Sequence, residues 1–428
     1  MIALVLAVIG AWFVSLFAGP AIYAAMGLAG FAFLALAGIP GIVIPQKVAM
    51  AANSFPLLAA PLFILMGNLM NTGGISVRIF AFAKALVGWM RGGLCQANIL
   101  GSVIFAGMSG SAVADAAGLG TVEIEAMKRE GYDAETAGAI TAASATIGPI
   151  IPPSLPMIVY GVTAETSIGA LFLAGVVPGL LMAVALMLMV RHLAIRKNLP
   201  RHPFEGARVL WLAFRGAFWA LMAPVVLFGG LFSGIFTPTE AAAVAVIYAL
   251  VLGLFVYREF EIRDLPRIIV DTVETSGVVM ALVMAASLLG YCISVSRLPQ
   301  EFGAALSHLT SSPFVYLLIV NLLLLVVGCF MEALAAMLVL IPILVPPALA
   351  LGIDPVHFGL VFVLNLMIGT VTPPVGVVLY VTAKVAQVPF DRMARATLPY
   401  LVPLFAVLFL CTFWPPLTTF LPKLLMGR

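Results

Sequence analysis

The sequence predicts an all-α polytopic membrane protein, with about ten transmembrane helices plus two re-entrant hairpins. Three observations predict it. Hydrophobic residues make up 63% of the 428-residue chain and charged residues only 9%, against roughly 25% charged in soluble domains. The charges that remain are spaced at intervals that match a bilayer. The chain also repeats itself at a fixed offset, with proline-rich interruptions at matching places. So little charge cannot keep a water-soluble surface dispersed, and the same composition excludes disorder. A net charge of +3 makes no phosphate track, so the expected partner is the lipid bilayer and no nucleic acid.

The elements follow in order from the charge gaps. No Lys, Arg, Asp or Glu occurs in 1–46, 48–77, 92–114, 136–164, 166–190, 216–239, 275–296, 302–331, 333–353, 355–383 or 396–422, and a shorter gap covers 241–257. A spanning helix takes about 20 apolar residues, and the alternating segments of an outer-membrane barrel are absent. Residues 1–46 lack the charged start of a signal peptide and are too long for its apolar core. They read as two short spans broken near Gly19-Pro20. Segment 76–91 carries Arg78, Lys84 and Arg91 with Phe80, Phe82 and Trp89 between them, the pattern of a helix lying in the interface. Residues 92–127 enter and return as a hairpin, which puts Lys128-Arg129 on the same side. The linkers His192–Arg208, Tyr257–Asp271 and Lys384–Arg395 are basic. With these hairpins, 17 of the 21 Lys and Arg are cytoplasmic, and only Lys47, Arg297, Lys423 and Arg428 lie outside with both termini. Cys95, Cys292, Cys329 and Cys411 sit inside apolar runs without paired spacing and read as small buried hydrophobes.

Shifting the chain by 221 residues aligns 107–153 with 328–374 without a gap. Gly107 then matches Gly328, Asp133 matches Asp354, Ile147-Gly148 matches Ile368-Gly369, and Pro152-Pro153 matches Pro373-Pro374. Ser76, where the first interfacial segment starts, lands on Arg297, which opens a second one. The topology puts the two copies in opposite orientations. Inverted repeats of this kind are the signature of secondary transporters, which bind substrate and ions where helices are interrupted.

Two interruptions stand out. Ser144–Ser154 contains Gly148 and three prolines and cannot be a continuous helix. Its counterpart, Asn365–Val375, holds Gly369, Thr370, Thr372, Pro373 and Pro374. Unwinding frees carbonyls at membrane depth, tolerated only where they line a cavity or find partners. Carbonyls with Ser and Thr hydroxyls are hard oxygen ligands that suit Na+; the bland alternative is a proline kink satisfied by neighbouring helices. Two turns face these breaks, Gly107-Met108-Ser109-Gly110-Ser111 and Gly328-Cys329-Phe330-Met331-Glu332. The half-helices beyond them would point N-termini at an anionic ligand, although small residues such as these also serve plain helix packing. Glu332 and Asp115 are the carboxylates that stand out at depth. Glu332 reads as a contact for an ion or a polar substrate. Asp115 reads equally as functional or as a polar anchor inside its hairpin. No Ser/His/Asp set, P-loop or metal-ligand spacing appears, so neither an enzyme nor direct ATP coupling is expected.

GMSGSAVADAAGLGTVEIEAMKREGYD, followed by TAASATIGPIIPPSLPMIVYG, closely resembles the large membrane (M, DctM-like) subunit of tripartite ATP-independent periplasmic (TRAP) transporters, within the ion-transporter superfamily. So do NLMIGTVTPPVGVVLYVTAKVAQVPF and NSFPLLAAPLFILMGNLM, and the resemblance covers essentially the whole chain. It implies Na+-coupled secondary active import of an organic acid anion (a C4-dicarboxylate, sialic acid or a related carboxylate) across a bacterial inner membrane. It implies two partners, a small (Q) membrane subunit, expected here as a separate polypeptide, and a periplasmic solute-binding protein (P subunit). No cofactor is implied beyond Na+ as coupling ion. A stand-alone Na+/carboxylate symporter of the same superfamily is the alternative.

The resemblance further implies an elevator-type transporter with a fixed scaffold and a moving transport domain. On that reading 1–75 are N-terminal scaffold spans. Residues 76–167 form the first transport unit, with arm helix, hairpin and broken helix. Residues 168–296 are central scaffold spans, 297–390 the second transport unit, and 391–428 a C-terminal span. Carried over by motif, the first Na+ site uses Ser109, Gly148, Ile151 and Pro153. The second uses Gly328, Gly369, Thr370 and Thr372. Ser111, Ser154 and Glu332 are placed towards substrate.

Overall fold

A computed structural model describes residues 1–197, 199–201, 203–309 and 312–427, with the side chains of Phe17 and 304–309 left aside. The described residues are helices and their connections, with no strand among them. Arg428, expected on the outer face, lies outside the described residues.

The first half opens on the two short spans, α1 (Ile2–Ser15) and α2 (Ile22–Leu36). Gly19 turns the chain between them at φ +81°, a left-handed conformation that glycine adopts without a steric penalty. Then come α3 (Val43–Ala52), α4 (Ala59–Thr72) and the arm α5 (Ile75–Val87). Hairpin one is α6 (Gly93–Ser109), α7 (Ala112–Ala117) and α8 (Leu119–Arg129). The broken helix is α9 (Ala134–Ala145) with α10 (Leu155–Thr163), and α11 (Ile168–Arg196) closes the half. The second half runs α12 (Ala207–Phe232), α13 (Pro238–Val251), α14 (Leu265–Val295) and a second arm, α15 (Leu298–Leu309). Hairpin two is α16 (Pro313–Phe330) and α17 (Ala333–Ala350). The second broken helix is α18 (Pro355–Gly369) with α19 (Val377–Ala386), followed by α20 (Phe390–Phe413) and α21 (Pro416–Met426). Among the described residues, eight helical stretches are long and apolar enough to cross a membrane, and α1, α2, α6, α18 and α19 are shorter apolar helices.

The 221-residue offset holds at the level of elements. It carries Ala112, which opens α7, onto Ala333, which opens α17, and Ala134, which opens α9, onto Pro355, which opens α18. The caps repeat as well. Asp133 accepts from the Thr136 amide at 2.6 Å, and Asp354 accepts from the Val356 and His357 amides at 2.9 Å each. Each satisfies amides that a helix start leaves without an intrahelical partner. The copies differ in one arm. Hairpin one returns through a break at Gly118 (φ −83°, ψ −85°), whereas α17 runs unbroken through Pro342, Pro346 and Pro347. A Cβ on Gly118 would sit 2.9 Å from the Ala114 carbonyl and 3.0 Å from the Asn71 amide, so only glycine fits this approach.

Two packed groups emerge. α14 lies against α2, α3 and α4, with α13 on α4 and α12 on the arm α5, and α14 also packs on α17 of hairpin two, where the two groups meet. The other group surrounds the broken helices: α9 touches α6, α8, α19 and α20, while α18 touches α16, α17 and α20. α9 is buried from Thr136 to Ala145, and its small residues let neighbouring backbones approach closely. The arm α5 buries Ile75, Ile79 and Phe80. Its Arg78 pairs with Glu259 at 2.5 Å and lies 4.4 Å from the Tyr257 ring centroid, while Lys84 pairs with Glu130 at 2.5 Å. The arm is thus tied at one end to the segment before α14 and at the other to the base of hairpin one. The four cysteines are free and buried.

Candidate functional site at the two helix breaks

The first break begins where α9 runs out. The Thr146 hydroxyl turns back onto the Ala143 carbonyl at 2.6 Å, and tight turns follow through Ile147 and Gly148 to Ile151. Pro152-Pro153 is a cis peptide, as is Pro373-Pro374 in the second break. Prolines donate nothing, so the segment has more acceptors than donors. The carbonyls of Gly148, Ile151 and Pro153, the three assigned to the first ion site, accept no hydrogen bond among the described residues.

The tip of hairpin one is docked onto this break. The Leu155 amide donates to the Gly110 carbonyl at 3.3 Å, and a Cβ on Gly110 would sit 2.5 Å from the Pro153 carbonyl oxygen. Gly110 takes φ +61° there. Ser109, the last residue of α6, donates its hydroxyl to Asp115 Oδ1. The other oxygen, Oδ2, is buried, has no partner, and occupies the space that a Cβ on Gly148 would need. Asp115 is 2% exposed, and among the described residues no cation pairs with it. Ser109 and Gly148 therefore come together through Asp115, Pro153 meets the hairpin tip at Gly110, and Ile151 lies between Gly148 and Pro153 in the chain. The sequence left Asp115 between a functional and an anchoring role; the structure places its orphaned oxygen beside Ser109 and Gly148.

The second break is assembled by backbone contact. A Cβ on Gly369 would sit 2.7 Å from Gly328 Cα, so these glycines let hairpin two and the break touch directly. The Gly376 amide donates to the Cys329 carbonyl at 2.9 Å, locking the hairpin tip to the far side of the break. The Gly369 and Thr370 carbonyls accept from the Thr372 and Val378 amides at 3.0 Å each. The Thr370 and Thr372 hydroxyls donate to the carbonyls of Met367 at 2.6 Å and Ile368 at 2.7 Å, which leaves their lone pairs available. Asp115 has Ala336 as its counterpart, so the repeat supplies no equivalent of that carboxylate at the second break.

The three residues placed towards substrate share one local role. Ser111, Ser154 and Glu332 are the N-caps of α7, α10 and α17, accepting from the amides of Ala114 (3.4 Å), Met157 (3.2 Å) and Ala335 (3.0 Å). Ser111 and Glu332 occupy equivalent positions under the repeat. Ser154 is fully buried, and its hydroxyl also donates to the Pro149 carbonyl at 2.5 Å.

Paired hairpins docked on paired interrupted helices, with an unpartnered carboxylate and free carbonyls at depth, define a polytopic membrane transporter. Sequence comparison then gives the family. Residues 9–417 match the model of the tripartite ATP-independent periplasmic transporter, DctM component. The chain is 46% identical to the sialic acid TRAP transporter large permease protein SiaM of Vibrio cholerae, over 97% of this chain and 98% of that one. It is 40% identical to the C4-dicarboxylate TRAP transporter large permease protein DctM of Pseudomonas aeruginosa, over 88% of each. It is 43% identical to the sialic acid TRAP transporter permease protein SiaT of Haemophilus influenzae, over 89% of this chain and 62% of that longer one. The fold also resembles the crystal structure of the Alcanivorax borkumensis YdaH transporter, with a TM-score of 0.66 over 88% of both chains at 16% identity. The chain belongs to the TRAP large permease family. It is a multi-pass inner-membrane transporter subunit and not an enzyme.

Proposed function

We propose that this chain is the Na+-coupled large permease subunit that imports an organic acid anion, working with a small membrane subunit and a periplasmic solute-binding protein. The observation that carries the coupling is Asp115. A carboxylate buried at depth without a cation is expensive. A bound Na+ would neutralise it, with Ser109 and the free carbonyls of Gly148, Ile151 and Pro153 completing an oxygen shell. The second Na+ would sit among Gly328, Gly369, Thr370 and Thr372, where no counterpart of Asp115 balances it, so its charge is available to attract the anion. The helix N-termini capped by Ser111, Ser154 and Glu332 favour negative charge.

The arrangement of the two packed groups supports an elevator motion: the group carrying both breaks moves, and the group around α14 stays. The arm α5, tied to both, is the connecting strut. Moving two Na+ with one monoanion carries one net positive charge inward, which gains about 2.3 kcal/mol per 100 mV of membrane potential. The relatives' names include sialic acid, C4-dicarboxylate and 2,3-diketo-L-gulonate carriers, so the substrate proposed here is a small organic acid. The test is uptake into proteoliposomes containing this chain, the small subunit and the binding protein. Uptake should need Na+ and both partners. Equal uptake by this chain alone would favour the stand-alone symporter, and equal uptake without Na+ would remove the coupling.

A further inference from the structure

A polar cluster between hairpin one and α9 is used by none of the steps above. Asn98 on α6, Glu123 on α8, and Thr141 and Ser144 on α9 are each no more than 2% exposed. Asn98 is the hub. Its Nδ2 donates to Glu123 Oε2 at 2.5 Å and to Thr141 Oγ1 at 2.8 Å, and its Oδ1 accepts from Ser144 Oγ at 2.6 Å. Glu123 Oε1 has no partner and packs 2.8 Å from where a Cβ on Gly101 would lie. A buried carboxyl in such a setting is retained at considerable expense, and Asp115 of the first ion site is close enough to act on it electrostatically.

Ser144 links this cluster to the first break. That residue lies in the last turn of α9, and the break starts from it: the Ile147 amide donates to the Ser144 carbonyl at 3.0 Å, and the Gly148 amide to the Ala145 carbonyl at 3.2 Å. The second half ties the same step differently. Asn365, the counterpart of Ser144, donates to Asn321 Oδ1 at 2.5 Å, and Asn321 donates to Thr412 at 3.0 Å. In both halves the residue one turn before the break is wired to the entering arm of the hairpin, and in the first half the wire ends on a carboxyl.

We infer that Glu123 is a positioning residue for the first break. Acting through Asn98, it holds Ser144 and the last turn of α9 in the register that leaves the Gly148 and Ile151 carbonyls free. The inference rests on reading this break as an ion site. What Glu123 supplies is an acceptor for Asn98, so glutamine can replace it. Outer-shell partners of this kind change metal affinity by about tenfold or more.

The experiment compares Glu123→Ala, Glu123→Gln and Asn98→Ala in two measurements on the assembled transporter. The first is the Na+ dependence of uptake. Glu123→Ala and Asn98→Ala should raise the half-saturating Na+ concentration by about tenfold and leave the substrate KM at saturating Na+ unchanged, while Glu123→Gln stays within about twofold of wild type. The second is backbone hydrogen exchange of residues 145–151 without Na+, which should rise in both alanine variants and not in Glu123→Gln. Unchanged exchange in the alanine variants overturns the inference whatever the coupling ion. Wild-type uptake without Na+ dependence would instead overturn the Na+ reading and leave exchange to decide the positioning role. Loss of Na+ affinity in Glu123→Gln equal to that in Glu123→Ala also overturns it, because the charge and not the acceptor would then be in use.

Discussion

Adding one methyl group at Gly369 should separate hairpin two from the second break. The Cβ would meet Gly328 Cα at 2.7 Å and the Gly328 carbonyl carbon at 2.9 Å, both backbone atoms that cannot rotate away. Carbon atoms rest about 3.5–4.0 Å apart, so the two backbones must part by about 1 Å. Overpacking of this kind costs about 1–3 kcal/mol. Both glycines belong to the proposed second ion site, and on the proposal that the ion draws these two backbones together the cost opposes ion binding. At about 1.4 kcal/mol per decade it corresponds to a loss of roughly five- to 150-fold in Na+ affinity. The assay is a Na+ titration of uptake, paired with a Na+ titration of thermal unfolding. Gly277→Ala on α14 is the control, because its Cβ meets nothing within 4 Å, and alanine favours a helix interior by up to about 1 kcal/mol. A folded Gly369→Ala protein with wild-type Na+ affinity would refute the reasoning.

Three further outcomes follow from the same geometry. Asp115→Asn keeps the shape of the first site and removes its charge, so Na+ affinity should fall by about tenfold or more in the uptake titration, with protein yield maintained. Ser109→Ala and Thr372→Ala should each weaken Na+ dependence, and the double variant should show the product of the two single effects, because each removes a ligand from a different site. Glu332→Ala should lower thermal stability by about 1 kcal/mol through loss of the α17 cap, whereas Glu332→Gln should recover part of the stability and alter the substrate KM without changing the Na+ midpoint.

The architecture was legible because the rules behind it are local. Gaps between charges mark spans, Gly19-Pro20 divides the first stretch into α1 and α2, and proline runs at a fixed offset mark two breaks. The arm over 76–91 was visible from Arg78, Lys84 and the aromatic residues between them. What escaped depends on contacts between distant segments. Asp115 falls at the end of an uncharged run, so nothing nearby says that one of its oxygens ends beside Gly148 without a partner. Glu123 stands in a charged stretch with Glu125, Lys128, Arg129 and Glu130, yet it shares the buried face of α8 with Leu119, Gly120, Ile124 and Met127; that period was the available signal. The pairing of Gly328 with Gly369 needs two glycines 41 positions apart to meet, which no spacing rule gives. The break at Gly118 depends on Asn71, from a different span.

The most direct test of the coupling claim is the reversal potential of substrate flux in proteoliposomes containing the complete transporter, measured against imposed Na+ gradients. With two Na+ per monoanion, the flux should reverse where two Na+ chemical gradients and one net charge balance the substrate gradient, and Asp115→Asn should change that balance. A reversal potential that does not move with the Na+ gradient would contradict the account, because the two breaks would then carry no ions.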